Sequence, residues 1–229
     1  MKFENLVYGK LIRRYKRFLA DVELESGEVV VAHTTNSGSL KSCIVPGAPV
    51  TLSPANNPKR KTKYTWEMIK IRDTWVGINT NVANDLAEEL LKNNIINGLP
   101  EFTLVKREVK FSDSRFDFYC ETEDDKYFIE VKNVTYREGD YALFPDARTT
   151  RGLKHLNTLV EAIDNGYKAA MIYIIQRDDT KIFAPAKEID PDYAKALKRV
   201  HKAGVEIFPV QMKVSPEEIR FKRLLDFEL

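Results

Sequence analysis

The hydrophobic periodicity of this chain changes once, at Asn81, and that change limits the fold more than any other feature. Up to about residue 80 the apolar residues fall in short stretches, 6–12, 18–24, 28–34, 48–53, 65–71 and 74–80, rich in β-branched or aromatic side chains. Turn chemistry separates them. Ser26-Gly27 divides two alternating runs as a hairpin does, Ser37-Gly38 and Pro46-Gly47 punctuate the middle, and Pro54 to Pro58 opens a loop. Short strands with no helix between them predict a small OB-like β-barrel over 1–80. From Asn81 onward Val82, Ala83, Leu86, Ala87, Leu90 and Leu91 recur at helical spacing, predicting a helix that ends near Asn97-Gly98 and opens a second domain, 81–229.

In the second domain the pattern predicts three strands, 102–111, 114–121 and 126–135, and then a loop containing Phe144-Pro145-Asp146. A helix follows from Thr150 to Asn165, closed by Gly166, and 168–176 reads as a buried strand. A last helix, 192–203, ends at Gly204 before a strand at 205–212. The order αβββαβ marks an α/β domain joined to an all-β one. At 229 residues and 43% hydrophobic content the chain can bury two modest cores. Its two cysteines, Cys43 and Cys120, form no C-x-x-C pair and have no zinc-type spacing, which argues against a disulfide framework or structural zinc. No apolar run is long enough for a membrane helix or a signal peptide. The expectation is a cytoplasmic protein with no membrane partner.

Chemistry concentrates in two neighbouring strands. Asp117 lies within 114–121, and Glu130-Val131-Lys132 lies within 126–135. Alternation puts Tyr127, Ile129 and Val131 on one face and Phe128, Glu130 and Lys132 on the other. If the two strands form an antiparallel hairpin, Asp117 can join Glu130 and Lys132. Two carboxylates can hold Mg²⁺ or Mn²⁺ through oxygen while leaving positions for water and a phosphate oxygen. Lys132 can then orient the water or stabilise developing negative charge. Glu-x-Lys alone is common, and an exposed strand face explains it equally well; the Asp on the preceding strand and the αβββαβ order favour the metal pocket. A third metal ligand is expected from the first helix, where Glu89 and Asn84 flank the apolar stripe and can reach a shared pocket while Asp85 and Glu88 project away; Glu89 is the better candidate and Glu108 a rival.

Basic residues cluster rather than dominate, since the net charge is only +2. Arg13, Arg14, Lys16 and Arg17 are interleaved with Tyr15 and Phe18, and Lys61 and Lys63 precede Tyr64 and Trp66. Aromatic faces stack on bases while cations track phosphates, so the barrel is expected to bind nucleic acid. Barrel core plus solvated cations would give the same alternation. Arg151 and Lys154, with His155, stand at the start of the second helix as a candidate phosphate clamp, although such residues also occur at ligand-free helix starts.

The segments 33–40 (HTTNSGSL), 45–53 (VPGAPVTLS), 77–84 (GINTNVAN), 114–118 (SRFDF), 128–135 (FIEVKNVT) and 144–156 (FPDARTTRGLKHL), with a late AGVEIFPVQ, make the chain resemble the sugar fermentation stimulation protein A family over nearly its whole length. That resemblance implies an OB-like N-terminal domain, a C-terminal domain similar to PD-(D/E)-x-K nucleases, and DNA as partner. It puts the metal acids and lysine of that superfamily on Asp117, Glu130 and Lys132, although the signature proline is replaced by Phe116. It leaves open a metal-dependent nuclease and a non-cleaving DNA-binding regulator linked to sugar-utilisation genes. Whether the chain acts alone or as a homodimer is not legible in the sequence.

Overall fold

A computed structural model describes the whole chain except residues 56 and 58, so the loop expected at Pro54 to Pro58 falls partly outside the described residues. The first six strands are β1 (Val7–Tyr15), β2 (Leu19–Leu24), β3 (Val29–His33), β4 (Pro49–Pro54), β5 (Tyr64–Ile71) and β6 (Thr74–Gly77). They run in the order β3-β2-β1-β4-β5-β6, and a parallel contact of β3 with β5 closes five of them into a barrel. Inward-facing Leu11, Val22, Val50, Leu52 and Trp66 fill its core. Closure leaves few unpaired strand edges, which is how a small all-β unit protects its backbone donors.

The second unit begins with α1 (Asn81–Lys92) and continues through β7 (Leu104–Phe111), β8 (Ser114–Glu121), β9 (Lys126–Val134), β10 (Tyr136–Glu138), β11 (Tyr141–Phe144) and α2 (Thr150–Asp164). It ends with β12 (Lys168–Ile175), β13 (Ile182–Pro185), α3 (Pro191–Lys202), β14 (Glu206–Val214), β15 (Ile219–Leu224) and β16 (Asp226–Phe227). The main sheet runs β15-β14-β12-β9-β8-β7, with β9, β12 and β14 parallel. One face, including Ile129 and Val131, packs under α1, and the other, including Phe128 and Met171, packs under α2 and α3. Coverage on both faces explains why β12 is apolar along nearly its whole length.

Three expectations need correction. The first helix stops at Lys92, because Asn94 takes a left-handed backbone at φ 53° that ends the helical turn before Asn97. The region read as a loop before α2 contains β10 and β11, which join β13 and β16 in a second, four-stranded sheet. Strands of three or four residues carry too little alternation to be read from sequence. Residues 1–3, assigned to the barrel, instead lie on the α/β unit: Lys2 bridges Glu218, and Phe3 packs on the core under α1.

Polar contacts join the two units. Gly77 N–H donates to Gln176 O at 2.9 Å, and Gln176 Nε2 donates to Asn79 O at 3.1 Å. The buried Arg177 guanidinium donates to Thr135 O at 2.7 Å and pairs with Asp179, while the Cys43 thiol of the barrel sits against the same carbonyl. A buried cation is tolerated here because it is both paired and hydrogen-bonded.

Candidate active site between barrel and sheet

The β8–β9 ladder stops where the carboxylates begin. Its last pair is Phe118 opposite Ile129, so Asp117 and Glu130 stand at the point where the strands part. Asp117 enters the gap: Oδ2 accepts the Val131 N–H at 2.8 Å, and Oδ1 accepts from Asn84 Nδ2 of α1 at 2.9 Å. A carboxylate thus takes a bond that a strand would otherwise make, which satisfies the backbone donor and fixes the side chain.

Glu130 lies deeper, at 2% exposure. Its Oε1 contacts both Lys132 Nζ and His155 Nδ1, whereas Oε2 is buried with no hydrogen-bond partner among the described residues. Because a carboxylate only accepts, Nδ1 of His155 carries the proton in this contact. Burial pushes the Glu130 carboxyl up, but Lys132 and His155 outweigh it and the net shift is downward. Asp117 moves the other way: burial and the neighbouring Glu130 charge raise it against the pull of Lys132, the Val131 N–H and Asn84. Two acids held apart in this way are a common feature of catalytic centres.

His155 is delivered by α2, whose start is tied down twice. Thr149 Oγ1 accepts from Gly152 N–H at 2.9 Å, and Asp190 Oδ2 accepts from Thr149 N–H at 2.9 Å. Beside the acids opens a cleft of about 480 Å³, with Asn84 and Lys132 in its walls, the barrel loop Asn36–Gly38 on one side and Phe144–Gly152 on the other.

Asp117, Glu130 and Lys132 come together as expected; Glu89 does not join them. It lies five residues after Asn84, about 140° round the helix, and its carboxylate meets the Met1 ammonium at 3.3 Å. Asp85 and Glu88 face away and bind Arg107, while the exposed Glu108 lies 4.0 Å from Arg115. Among the described residues no set of three His, Cys, Asp or Glu side chains forms a metal-ligand group. The two carboxylates and the unsatisfied Glu130 Oε2 nevertheless fit a hard divalent cation, since Mg²⁺ is commonly held by one or two protein carboxylates and completed by water and phosphate oxygens.

The expected nucleic-acid contacts divide. Arg14 spends its donors on the carbonyls of Arg17, Asn36, Gly38 and Ser39, so it clamps loops instead of facing a phosphate. His155 is buried behind Glu130. Arg13 pairs with Asp21 at 2.7 Å and lies over the Tyr15 ring, and Lys154 pairs with Asp113. Lys16, Arg17, Lys61, Lys63 and Arg151 are exposed and have no ion-pair partner among the described residues. Two contributors were not among the expected site residues. Asn84, which the helix pattern put within reach of the pocket, is the partner of Asp117, and Arg148 lines the cleft although only its position just before the α2 start could have drawn notice.

Fold and site define a class: an OB barrel joined to a mixed α/β domain that holds a buried carboxylate–lysine group at their junction. Residues 12–78 match the family described as SfsA N-terminal OB domain, and residues 81–218 match the Sugar fermentation stimulation protein RE domain. The chain belongs to the sugar fermentation stimulation protein (SfsA) family. It is 47% identical over 210 residues to the sugar fermentation stimulation protein homolog of Geotalea uraniireducens, covering 91% of both chains. It is 45% identical over 221 residues to the homolog of Geobacter sulfurreducens, covering 96% of this chain and 95% of that one. The solved structure of Pyrococcus furiosus SfsA in complex with Ca²⁺ superposes with a TM-score of 0.92 at 28% identity, over 100% of this chain and 98% of that one.

Proposed function

We propose that the chain binds DNA and hydrolyses phosphodiester bonds with a divalent metal, Mg²⁺ or Mn²⁺, held by Asp117 and Glu130. One observation carries this reading: Glu130 keeps one buried oxygen without a partner while its other oxygen is held by Lys132 and His155. Leaving a buried charged acceptor unsatisfied costs about 1–3 kcal/mol or more, a cost that a coordinated cation removes. The Ca²⁺ complex of the Pyrococcus furiosus relative supports a cation in this family. The acids and lysine at a strand fork support the likeness to PD-(D/E)-x-K nucleases that the sequence resemblance implies.

A bound divalent cation supplies polarisation of a phosphoryl oxygen and a more acidic water. The protein's own groups do the rest. Asn84 and the Val131 N–H hold Asp117 in place, and His155 holds Glu130. Lys132, beside Glu130 and open to the cleft, positions the attacking water or neutralises charge on the phosphate as it develops.

The relatives' name, tied to sugar fermentation, favours a second reading in which the same surfaces bind DNA near sugar-utilisation genes without cutting it. Incubating the purified protein with labelled single-stranded, duplex and branched DNA, with Mg²⁺, Mn²⁺ or chelator, separates the two. Hydrolysis is expected only with metal and is expected to vanish in Asp117→Asn. Retained binding with no cleavage of any form makes the non-cleaving regulator the correct reading.

A further inference from the structure

The cleft beside Lys132 is roofed. Residues 34–40, between β3 and β4, cross it as an arch pinned at one end to the segment that leads into α1 and at the other to the α/β unit. At one end Thr35 Oγ1 accepts the Thr80 N–H at 2.9 Å and donates to Asn79 Oδ1 at 3.0 Å. At the other, Leu40 N–H donates to Asp146 Oδ2 at 2.9 Å and Ser39 Oγ donates to Asp146 O at 2.7 Å. Arg14 ties the middle of the arch to the barrel through the carbonyls of Asn36, Gly38 and Ser39. Gly38 runs so close to Asp146 that an added Cβ would lie 2.2 Å from a carboxylate oxygen.

The cleft is also deep relative to its chemistry. Lys132 lines it with its side chain only 16% exposed, and Glu130, which it contacts, is nearly sealed. The phosphates of a duplex ride on the outside of a stiff rod whose major groove alone is about 12 Å wide. Bringing one of them down to Lys132 would require lifting an arch that is anchored at both ends. A single strand can instead turn one phosphate inward.

The mouth carries matching groups. Arg17, Arg148 and Arg151 line it from the β1–β2 turn, the loop before α2 and the first turn of α2, and none has an ion-pair partner among the described residues. Among the described residues the Arg151 side chain reaches only His155 Nε2, at 3.5 Å. Next to Arg17, Phe18 is 45% exposed and stacks on His33 at 11° between ring planes, with ring centroids 6.3 Å apart. An exposed aromatic beside free cations is the combination that holds unpaired bases.

From the pinned arch, the burial of Lys132 and the arginine-lined mouth with exposed Phe18 next to Arg17 in the chain, we infer that the cleft takes single-stranded nucleic acid, or the unpaired tail of a duplex, with a phosphate drawn between the arginines and a base on Phe18. This inference rests on the nucleic-acid-binding reading above. Fluorescence anisotropy of the full-length protein tests it, in EDTA and again in Ca²⁺, with labelled single-stranded DNA, single-stranded RNA of the same sequence, a blunt duplex and a tailed duplex. Single strands and the tailed duplex should bind about tenfold or more tighter than the blunt duplex. Either sugar supports the inference, because phosphate and base faces are common to both.

Phe18→Ala, a change at an exposed position, should weaken single-strand binding by about 5- to 100-fold and leave blunt-duplex binding unchanged. Equal affinity for blunt duplex and single strand, or a Phe18→Ala protein that binds the single strand like wild type, overturns the inference while leaving nucleic-acid binding in place. No binding of any of the four under either condition overturns both the inference and the reading beneath it.

Discussion

Glu130 is sealed from solvent and shares one oxygen between Lys132 and His155, whereas Lys16, Lys61 and Lys63 on the barrel stand exposed and unpaired among the described residues. The buried charges act at short range, with little water to screen them, and their positions are set by Asn84, the Val131 N–H and the capped start of α2. The exposed charges are screened over about 8–10 Å at ordinary salt and have no fixed geometry. Charge in the first setting can act selectively on a transition state, while charge in the second can only attract. The two regions should therefore divide chemistry from affinity, and each mutation below tests that division.

The largest effect is expected at Lys132. Lys132→Ala should slow metal-dependent hydrolysis by about 10²-fold or more in single-turnover assays. Affinity for nucleic acid should stay within about twofold, because one cation among many contributes little to phosphate attraction. Comparable losses in both would break the division.

The barrel should behave in the opposite way. Replacing Lys16, Lys61 and Lys63 together with Ala should weaken binding about tenfold or more near physiological salt. The slope of log K against log salt should become shallower by about 0.7–0.9 for each phosphate that is no longer neutralised. Cleavage at saturating substrate should not change. A salt slope identical to wild type would move the main binding surface off the barrel.

A smaller effect follows from the opposed shifts of the two acids. Glu130 has a folded-state pKa below its usual 4.5, so it contributes stability above that value and loses it as pH falls through the lowered value. Asp117 has a raised pKa, so its contribution is complete below its usual 3.8 and is lost as pH rises through the raised value. The destabilisation by Glu130→Gln, read as a fall in Tm, should accordingly be greatest near neutral pH, at about 1–3 kcal/mol, and should shrink in acid below about pH 4.5. A constant difference across that range would mean that Lys132 and His155 do not hold the Glu130 charge. Adding Mn²⁺ should raise Tm in wild type, by about 2.7 kcal/mol of stability at a hundredfold excess over Kd, and should not do so in Asp117→Asn.

The smallest effect is expected from Arg13→Ala, since its pair with Asp21 is a single surface contact on a guanidinium that stands largely in solvent. Thermal melts should show no resolvable change. A clear loss would mean that the Arg13–Tyr15 stack packs the barrel edge.

By itself the sequence determined the elements whose hydrophobic pattern repeats over several residues. Strands β1–β6 carry turn signals between alternating runs, α1 to α3 carry apolar stripes, and β9 and β12 are continuous enough to read as buried. It also put Glu130 and Lys132 on one face, because alternation along a strand assigns a face before any contact is known, and left Asp117 conditional on the pairing of its strand. The tertiary structure alone decided which helix residue meets those acids. Asn84 and Glu89 both flank the stripe of α1, but only the docking angle of the helix turns Asn84 to Asp117 and leaves Glu89 to Met1. It likewise decided that Arg14 is a clamp, because the carbonyls that consume its donors come from residues 36–39, more than twenty positions away. Periodicity records which side of an element is buried; it holds no information about which distant group a polar side chain will meet, and that meeting decides what the side chain does.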